Sequence, residues 1–210
     1  STENFGRLEY SFSELVKNCG IDMTECSLIE ENGRAHFLTK RFDRENGRKI
    51  HMQTLCGMAH YDFRLKNGHS YEQAFNVMRR LRLPYSQAQE MFRRIVFNVV
   101  VRNQDDHTKN ISFLMDSSGQ WSLSPAYDMG FAYNPLGAWT ATHQMSINGK
   151  FDNITRADLL SLANANNIKN ASEIIDHVCE ATAGWPELAK NCGVPQKMID
   201  GIVPHMLLSI

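Results

Sequence analysis

The sequence predicts an α+β fold, predominantly α-helical, in which a mostly helical lobe carries two small β-hairpins. Three observations predict it. Apolar residues recur at helical spacing near the start of the chain, again from about Ser70 to Val101, and throughout the last third. Two pairs of short strand-like runs each flank a turn sequence. No low-complexity linker or clear internal boundary interrupts the 210 residues, a length that buries one substantial core.

The first helix is marked by Phe5, Leu8, Phe12, Leu15 and Val16, with Gly20 placed where a left-handed glycine ends a helix. The tetrapeptide Lys-Asn-Cys-Gly recurs at Lys190 to Gly193 after another periodic stretch, which predicts the same helix stop used twice. The runs Cys26 to Glu30 and Ala35 to Thr39 flank Glu31-Asn32-Gly33-Arg34, whose Asn-Gly is a strong hairpin signal. A polar link, Arg41 to Lys49, follows. Helix period then carries Val77 and Leu81 to a break at Pro84 and resumes through Met91, Ile95, Val96 and Val99. Ile111 to Met115 and Trp121 to Leu123 flank Asp116-Ser117-Ser118-Gly119-Gln120 as the second hairpin, and Asn148-Gly149 marks another turn. Thr155-Arg156-Ala157-Asp158 has the capping-box pattern with Asp for Glu, and Pro186 and Pro195 sit near the first turns of later helices.

Composition excludes several function classes. Apolar residues make up 42% and charged residues 21%, ordinary for a globular protein, and a net charge of −1 gives no global field for nucleic acid or anionic membrane. The basic clusters Arg79-Arg80-Leu81-Arg82 and Arg93-Arg94 are expected to be solvated helix faces, with an anionic partner as the sharper reading. Five scattered cysteines without a CxxC pair argue against a disulfide framework or structural zinc and for a reducing, cytoplasmic setting. No signal-peptide h-region and no membrane-length apolar run is present. The amphipathic pattern begins almost at Ser1, as if the chain opened partway through a domain.

The chemistry concentrates in Asn103-Gln104-Asp105-Asp106-His107-Thr108-Lys109-Asn110, directly after an apolar helix. A kinase-type phosphotransferase needs one carboxylate to take the proton of the acceptor hydroxyl. It also needs an Asn and a second carboxylate to hold the magnesium that bridges the ATP phosphates. Magnesium is a hard, oxygen-seeking cation, so Asp and Asn suit it and imidazole does not. In the kinase catalytic loop the Asp precedes the metal-binding Asn by five positions, and here Asp105, not Asp106, stands five before Asn110. The second carboxylate should follow a short hairpin, and Asp128-Met129-Gly130 does so, with Met in place of the Phe of the kinase Asp-Phe-Gly. Read separately, each segment is an ordinary solvated loop; the ordered set points to phosphoryl transfer. Lys109 is placed to meet a transferred phosphoryl group or to pair with Asp105 or Asp106, and His107 to orient a neighbour by hydrogen bonding.

These residues resemble the HipA-type toxin kinases of bacterial toxin–antitoxin modules. The resemblance runs in order through Lys40-Arg41-Phe42-Asp43-Arg44, Asn103 to Asp116, Trp121 to Gly130 and Met145 to Leu160. It implies the C-terminal lobe of a protein-kinase-like fold. Residues 1–45 would form a helix, hairpin and hinge region, and residues 46–210 a helical lobe bearing the catalytic loop and the Asp-Met-Gly segment. It implies an ATP- and Mg²⁺-dependent serine/threonine kinase with Asp105 as catalytic base and Asn110 and Asp128 as metal ligands. Lys40 to Asp43 would be the hinge meeting adenine and ribose. Implied partners are a protein substrate such as an aminoacyl-tRNA synthetase and an antitoxin of HipB type, with DNA reached only through the antitoxin and no membrane.

The chain departs from the family in one respect: it contains neither G-x-G-x-x-G nor G-x-x-x-x-G-K-[ST]. It therefore reads as the C-terminal portion of such a kinase, without the N-terminal lobe and with little or no turnover expected in isolation. Two other classes stay open: a small-molecule phosphotransferase of the aminoglycoside or choline type, and a non-catalytic kinase-like interaction module.

Overall fold

The computed structural model describes residues 4–210, so Ser1 and the opening noted there lie outside the described residues. Helix α1 (Phe5–Asn18) leads into the antiparallel hairpin β1 (Cys26–Glu31) and β2 (Arg34–Thr39), then into a two-residue pair β3 (Arg44–Glu45) and β4 (Arg48–Lys49). There follow β5 (His51–Thr54), α2 (Leu55–Ala59), β6 (His69–Ser70), α3 (Tyr71–Arg80) and α4 (Tyr85–Val101). Then come β7 (Ser112–Met115), β8 (Trp121–Leu123), β9 (Met145–Ser146), α5 (Arg156–Ala165), α6 (Ala171–Ala183), α7 (Trp185–Asn191) and α8 (Gln196–Ile202). The predominantly helical α+β class expected from the sequence is what the structure has.

Both Lys-Asn-Cys-Gly stretches end helices in the same way. After α1, Gly20 takes φ +72° and Ile21 N–H reaches back to Val16 O at 3.1 Å; after α7, Gly193 takes φ +75° and Val194 N–H reaches Ala189 O at 2.9 Å. The β1–β2 turn places Asn32 at φ +52° and Gly33 at φ +75°, the two left-handed residues that a tight two-residue hairpin needs.

The sheet content exceeds the two hairpins predicted. Asn46 and Gly47, at φ +49° and +78°, close the small β3–β4 pair inside the expected polar link, directly after residue 45. Its flanks are all charged, so no alternation announces it. The β7–β8 hairpin also gains a third strand, β5, which pairs antiparallel with β7 from His51↔Met115 to Thr54↔Ser112. That partner lies far away along the chain, where local pattern carries no signal. β6 and β9 add a short parallel pair, His69↔Met145 and Ser70↔Ser146.

One core runs through the molecule, including across residue 45. Helix α4 is buried almost all round its second half, from Met91 to Val101, and packs on α6. Helix α1 packs on β2 and α7, with Phe12 stacked on Trp185 at 4.7 Å. Gly6 lets α1 approach β2: a Cβ there would lie 2.2 Å from Ala35 O.

The basic clusters divide. Arg79, Arg80 and Arg82 are exposed, as expected. Arg94 is buried against Glu90 at 2.7 Å, and Arg93 reaches Cys19 O at 3.4 Å, so the Arg93-Arg94 pair is interior scaffolding and not an anion-binding face. The Thr155 capping box is present: Thr155 Oγ1 accepts from Asp158 N–H, and Asp158 Oδ2 accepts from Thr155 N–H at 2.9 Å. Lys150 and Thr155 hold the Asp158 carboxyl down at about 2. Thr155→Ala is expected to cost about 1 kcal/mol in urea unfolding.

Candidate active site

Helix α4 stops at Arg102, whose φ of +57° turns the chain abruptly. The turn lays Asn103 and Gln104 beside Ala132, with Gln104 N–H on Ala132 O at 3.2 Å and Ala132 N–H on Arg102 O at 3.1 Å. Asp105 then emerges on the wall of a cleft of about 440 Å³ whose lining also includes Glu9, Phe12, Phe37, Asp128 and Met129. Asn110 donates its Nδ2–H to Asp105 O at 3.0 Å. This bond fixes the amide so that the Oδ1 is left for another ligand.

Asp128 follows the β7–β8 hairpin with φ +58°, in the left-handed region that non-glycine residues seldom occupy. Its neighbours hold it there. Asn103 Nδ2–H donates to Asp128 O at 3.3 Å, and Tyr127 Oη–H donates to Lys109 O at 2.6 Å while also meeting the Ser112 hydroxyl. The carboxylate itself is exposed.

The cleft carries unbalanced negative charge. Burial raises the Asp105 carboxyl; His107 opposes the shift, Asp128 and Asp106 add to it, and Lys109 opposes it. Desolvation, and then the charge of Asp128, raise Glu9. Carboxylates that push one another up around an open space suit a bound cation. Among the described residues no group of three His, Cys, Asp or Glu can close around a metal alone. Asn110 Oδ1 and the Asp128 carboxylate therefore fit a magnesium ion that takes its remaining oxygens from phosphate and water, the usual habit of that ion.

The other predicted site residues stand apart from this cluster. His107 Nε2 is 3.9 Å from Asp105 Oδ1, an electrostatic contact beyond hydrogen-bond reach, and its ring meets Phe63 edge-on at 6.0 Å. Lys109 Nζ lies 3.4 Å from the Phe63 ring centroid instead of pairing with either aspartate. In the expected hinge, Lys40 and Arg41 are exposed, and Phe42 packs on Tyr127 at 5.5 Å. Asp43 is gripped by Arg41 at 2.7 and 2.8 Å and by Arg44 at 2.5 Å, which holds its carboxyl at about 2.

With this geometry in place, comparison with known proteins assigns the lineage. Residues 1–185 match the family described as HipA-like C-terminal domain. The chain belongs to that family. A "Putative kinase" of Haemophilus influenzae is 29% identical over 136 residues, 57% of this chain and 39% of that protein. "Putative kinase Y4dM" of Sinorhizobium fredii is 27% identical over 218 aligned positions, 94% of this chain and 52% of that protein. The HipA-like chain thus spans between about a third and a half of the curated relatives it matches.

Two solved structures share the fold. HipA of Shewanella oneidensis, solved with HipB and its operator DNA, superposes with a TM-score of 0.70 at 20% identity, over 94% of this chain and 52% of that one. The Helicobacter pylori proinflammatory kinase CtkA superposes with a TM-score of 0.58 at 14% identity, over 98% and 84%. The kinase-like C-terminal lobe is therefore the fold of this HipA-like chain. Kinase-type phosphotransfer is the general chemistry of its relatives.

Sequence reasoning missed a second tier of residues in this HipA-like domain. Asp106 is buried and accepts three hydrogen bonds: from Tyr71 Oη at 2.7 Å, His143 Nδ1 at 2.8 Å and Gln144 N–H at 2.7 Å. Asn98 Nδ2–H donates to Tyr71 Oη at 3.0 Å, and Asn98 Oδ1 accepts from Asn103 Nδ2 at 3.0 Å. A continuous polar chain thus runs from the His143 segment beneath the loop of residues 103–110 to the backbone of Asp128. Glu9 was also missed, although its place among Phe5, Leu8 and Phe12 put a carboxylate at the edge of an apolar stripe.

Proposed function

We propose that the complete gene product carrying this chain transfers the γ-phosphoryl group of ATP to a serine or threonine hydroxyl of a protein, with magnesium as cofactor. The observation that carries this reading is that Asp128 shares one cavity with Asp105 and an adjoining one with Asn110, whose amide is fixed by its bond to Asp105 O. Asp105 is the group that takes the acceptor proton, and its raised pKa makes it a better base near neutrality than an ordinary aspartate. Asn110 Oδ1 and the Asp128 carboxylate are the protein ligands of magnesium, which when bound offsets the charge on the phosphate oxygens.

Lys40 to Asp43 is the proposed hinge for adenine and ribose. Asp43 is clamped between Arg41 and Arg44, and Lys40 N–H and Asp43 O are already bonded to Glu25 and Ile50, so the main-chain groups of Arg41 and Phe42 are the part left to meet the nucleotide. Lys109 and His107 support the reaction by tempering the charge of Asp105. The family's association with aminoacyl-tRNA synthetases makes such an enzyme the proposed protein substrate. An antitoxin of HipB type is the proposed partner, since the Shewanella HipA neighbour was solved with HipB and operator DNA. DNA is then reached through the antitoxin, in keeping with a net charge of −1 and an interior Arg93-Arg94 pair. A cytoplasmic location is proposed; among the described residues no helix is long and apolar enough to cross a membrane.

The test is transfer from γ-labelled ATP by the complete gene product, offered bacterial protein extract, choline and an aminoglycoside in parallel. Label is expected on protein hydroxyls only, lost on chelation of magnesium, and falling on the acid side as Asp105 protonates at its raised pKa. Residues 1–210 alone are expected to show little or no turnover, because this stretch contains no glycine-rich phosphate loop. Labelling of the small alcohols, or transfer that survives chelation, would refute the proposal.

A further inference from the structure

Asp105 stands on a partition between two cavities. On one side is the cleft shared with Glu9 and Asp128. On the other is a notch of about 210 Å³ lined by Phe63, Arg64, Asp105, His107, Trp139 and Gln144. Phosphoryl transfer places the attacking and leaving oxygens roughly in line, so donor and acceptor approach the base from different sides. With Asp128, one of the two proposed magnesium ligands, on the first side, the notch is left for the acceptor.

The geometry points to this notch as a specificity subsite that takes an apolar side chain flanking the acceptor serine or threonine in a polypeptide. This inference rests on the phosphotransfer reading above. Its walls are aromatic and held in place. The Phe63 ring is backed by Lys109 Nζ and met edge-on by His107. Trp139 is half exposed, and its carbonyl accepts from Gln144 Nε2. Lys66 Nζ–H donates to Ala138 O at 3.0 Å and ties the two wall-bearing loops together.

The volume is that of one side chain, below the usual range of about 300–1,000 Å³ for small-molecule sites. The same two loops also expose Leu65, 58% accessible and next to Arg64, and Leu136, 94% accessible and three residues before Trp139, apolar surface that a peptide could cover beyond the notch. Charge selects the same occupant. Asp62 engages Arg64 through Nε and Nη2 at 3.0 and 3.1 Å, which offsets the charge of the guanidinium, and the Asp105 carboxylate repels an acidic residue.

The probes are two labelled nonapeptides with a central serine, flanked on both sides by leucine in one and by glutamate in the other. Fluorescence polarisation with residues 1–210, without nucleotide, is expected to show the leucine peptide bound about tenfold tighter or more. Trp139→Ala should bring the two within twofold. Leu136→Ser, at a position too exposed to disturb folding, should weaken the leucine peptide and leave the glutamate peptide unchanged. Equal binding, no binding of either peptide, or a preference that survives both variants would overturn the inference. A leucine preference without phosphate transfer by the complete gene product would keep the subsite and sink the kinase reading. Transfer without the preference would sink the subsite alone.

Discussion

Asp105→Asn and Asp106→Asn, one residue apart, are expected to fail in opposite ways. In the complete gene product, Asp105→Asn should lower turnover by about 10²–10⁴, the usual contribution of a positioned general base. It should leave the unfolding midpoint unchanged or slightly raised. The sign follows from the direction of the shift. A carboxyl raised in the folded state is ionised there at a cost, so the group favours folding only as pH falls towards its ordinary value, and removing the charge removes that cost. Asp106→Asn should instead destabilise residues 1–210 by about 3–5 kcal/mol. Its carboxylate accepts from Tyr71, His143 and Gln144 in the interior, and an amide would turn one N–H pair against those donors. Urea unfolding and phosphate transfer of the two variants separate the roles. A loss below about 1 kcal/mol for Asp106→Asn would show that the buried network does not hold the loop.

Trp185→Ala is expected to cost about 3–5 kcal/mol, among the largest single losses in the chain. Trp185 is fully buried, stacks on Phe12 at an interplanar angle of 13° and donates Nε1–H to Ser11 Oγ at 3.3 Å. Truncation leaves a cavity between α1 and α7 and removes the bond that the Ser11 hydroxyl accepts, leaving it only its donation to Leu8 O. Because Phe12 also lines the cleft that holds Asp105 and Asp128, the loss should loosen the wall facing the Asp105 loop. Phe5→Ala, at a ring 54% exposed on the same helix, is the matched control and should stay within about 0.5 kcal/mol. Thermal and urea unfolding of the two variants measure the contrast.

What the sequence made legible was local. The two Lys-Asn-Cys-Gly stops, the Asn32-Gly33 turn and the Thr155 box each have their cause within a few residues, and all three are in the structure. The tetrapeptide Glu-Asn-Gly-Arg shows the limit. It occurs at Glu31 to Arg34 and again at Glu45 to Arg48, and only the first copy has apolar alternation beside it to announce strands. Strand β5 was hidden because its partner is supplied by a distant part of the chain. At the site, counting from Asp to Asn singled out Asp105 and Asn110 because their relation is a spacing. The task of Asp106 depends on Tyr71 and His143, 35 and 37 residues away, and no local pattern links them. Spacing gives no sign that Phe63 would take up the Lys109 ammonium and meet the His107 ring, since that contact is supplied by a segment more than forty residues earlier.

The polar chain beneath the loop also bears on transplantation. A designer who grafted Asn103 to Asn110 onto another helix end would carry over the proposed base and one of the two proposed metal ligands. The graft would leave behind Tyr71, Asn98 and His143, which reach the loop from two helices and a distant strand approach. The Asn103 amide would travel with it but lose its partner Asp128, whose left-handed pose it supports. The portable unit is therefore a cross-section of the lobe, and an eight-residue cassette taken from it should arrive without Asp128 and geometrically adrift.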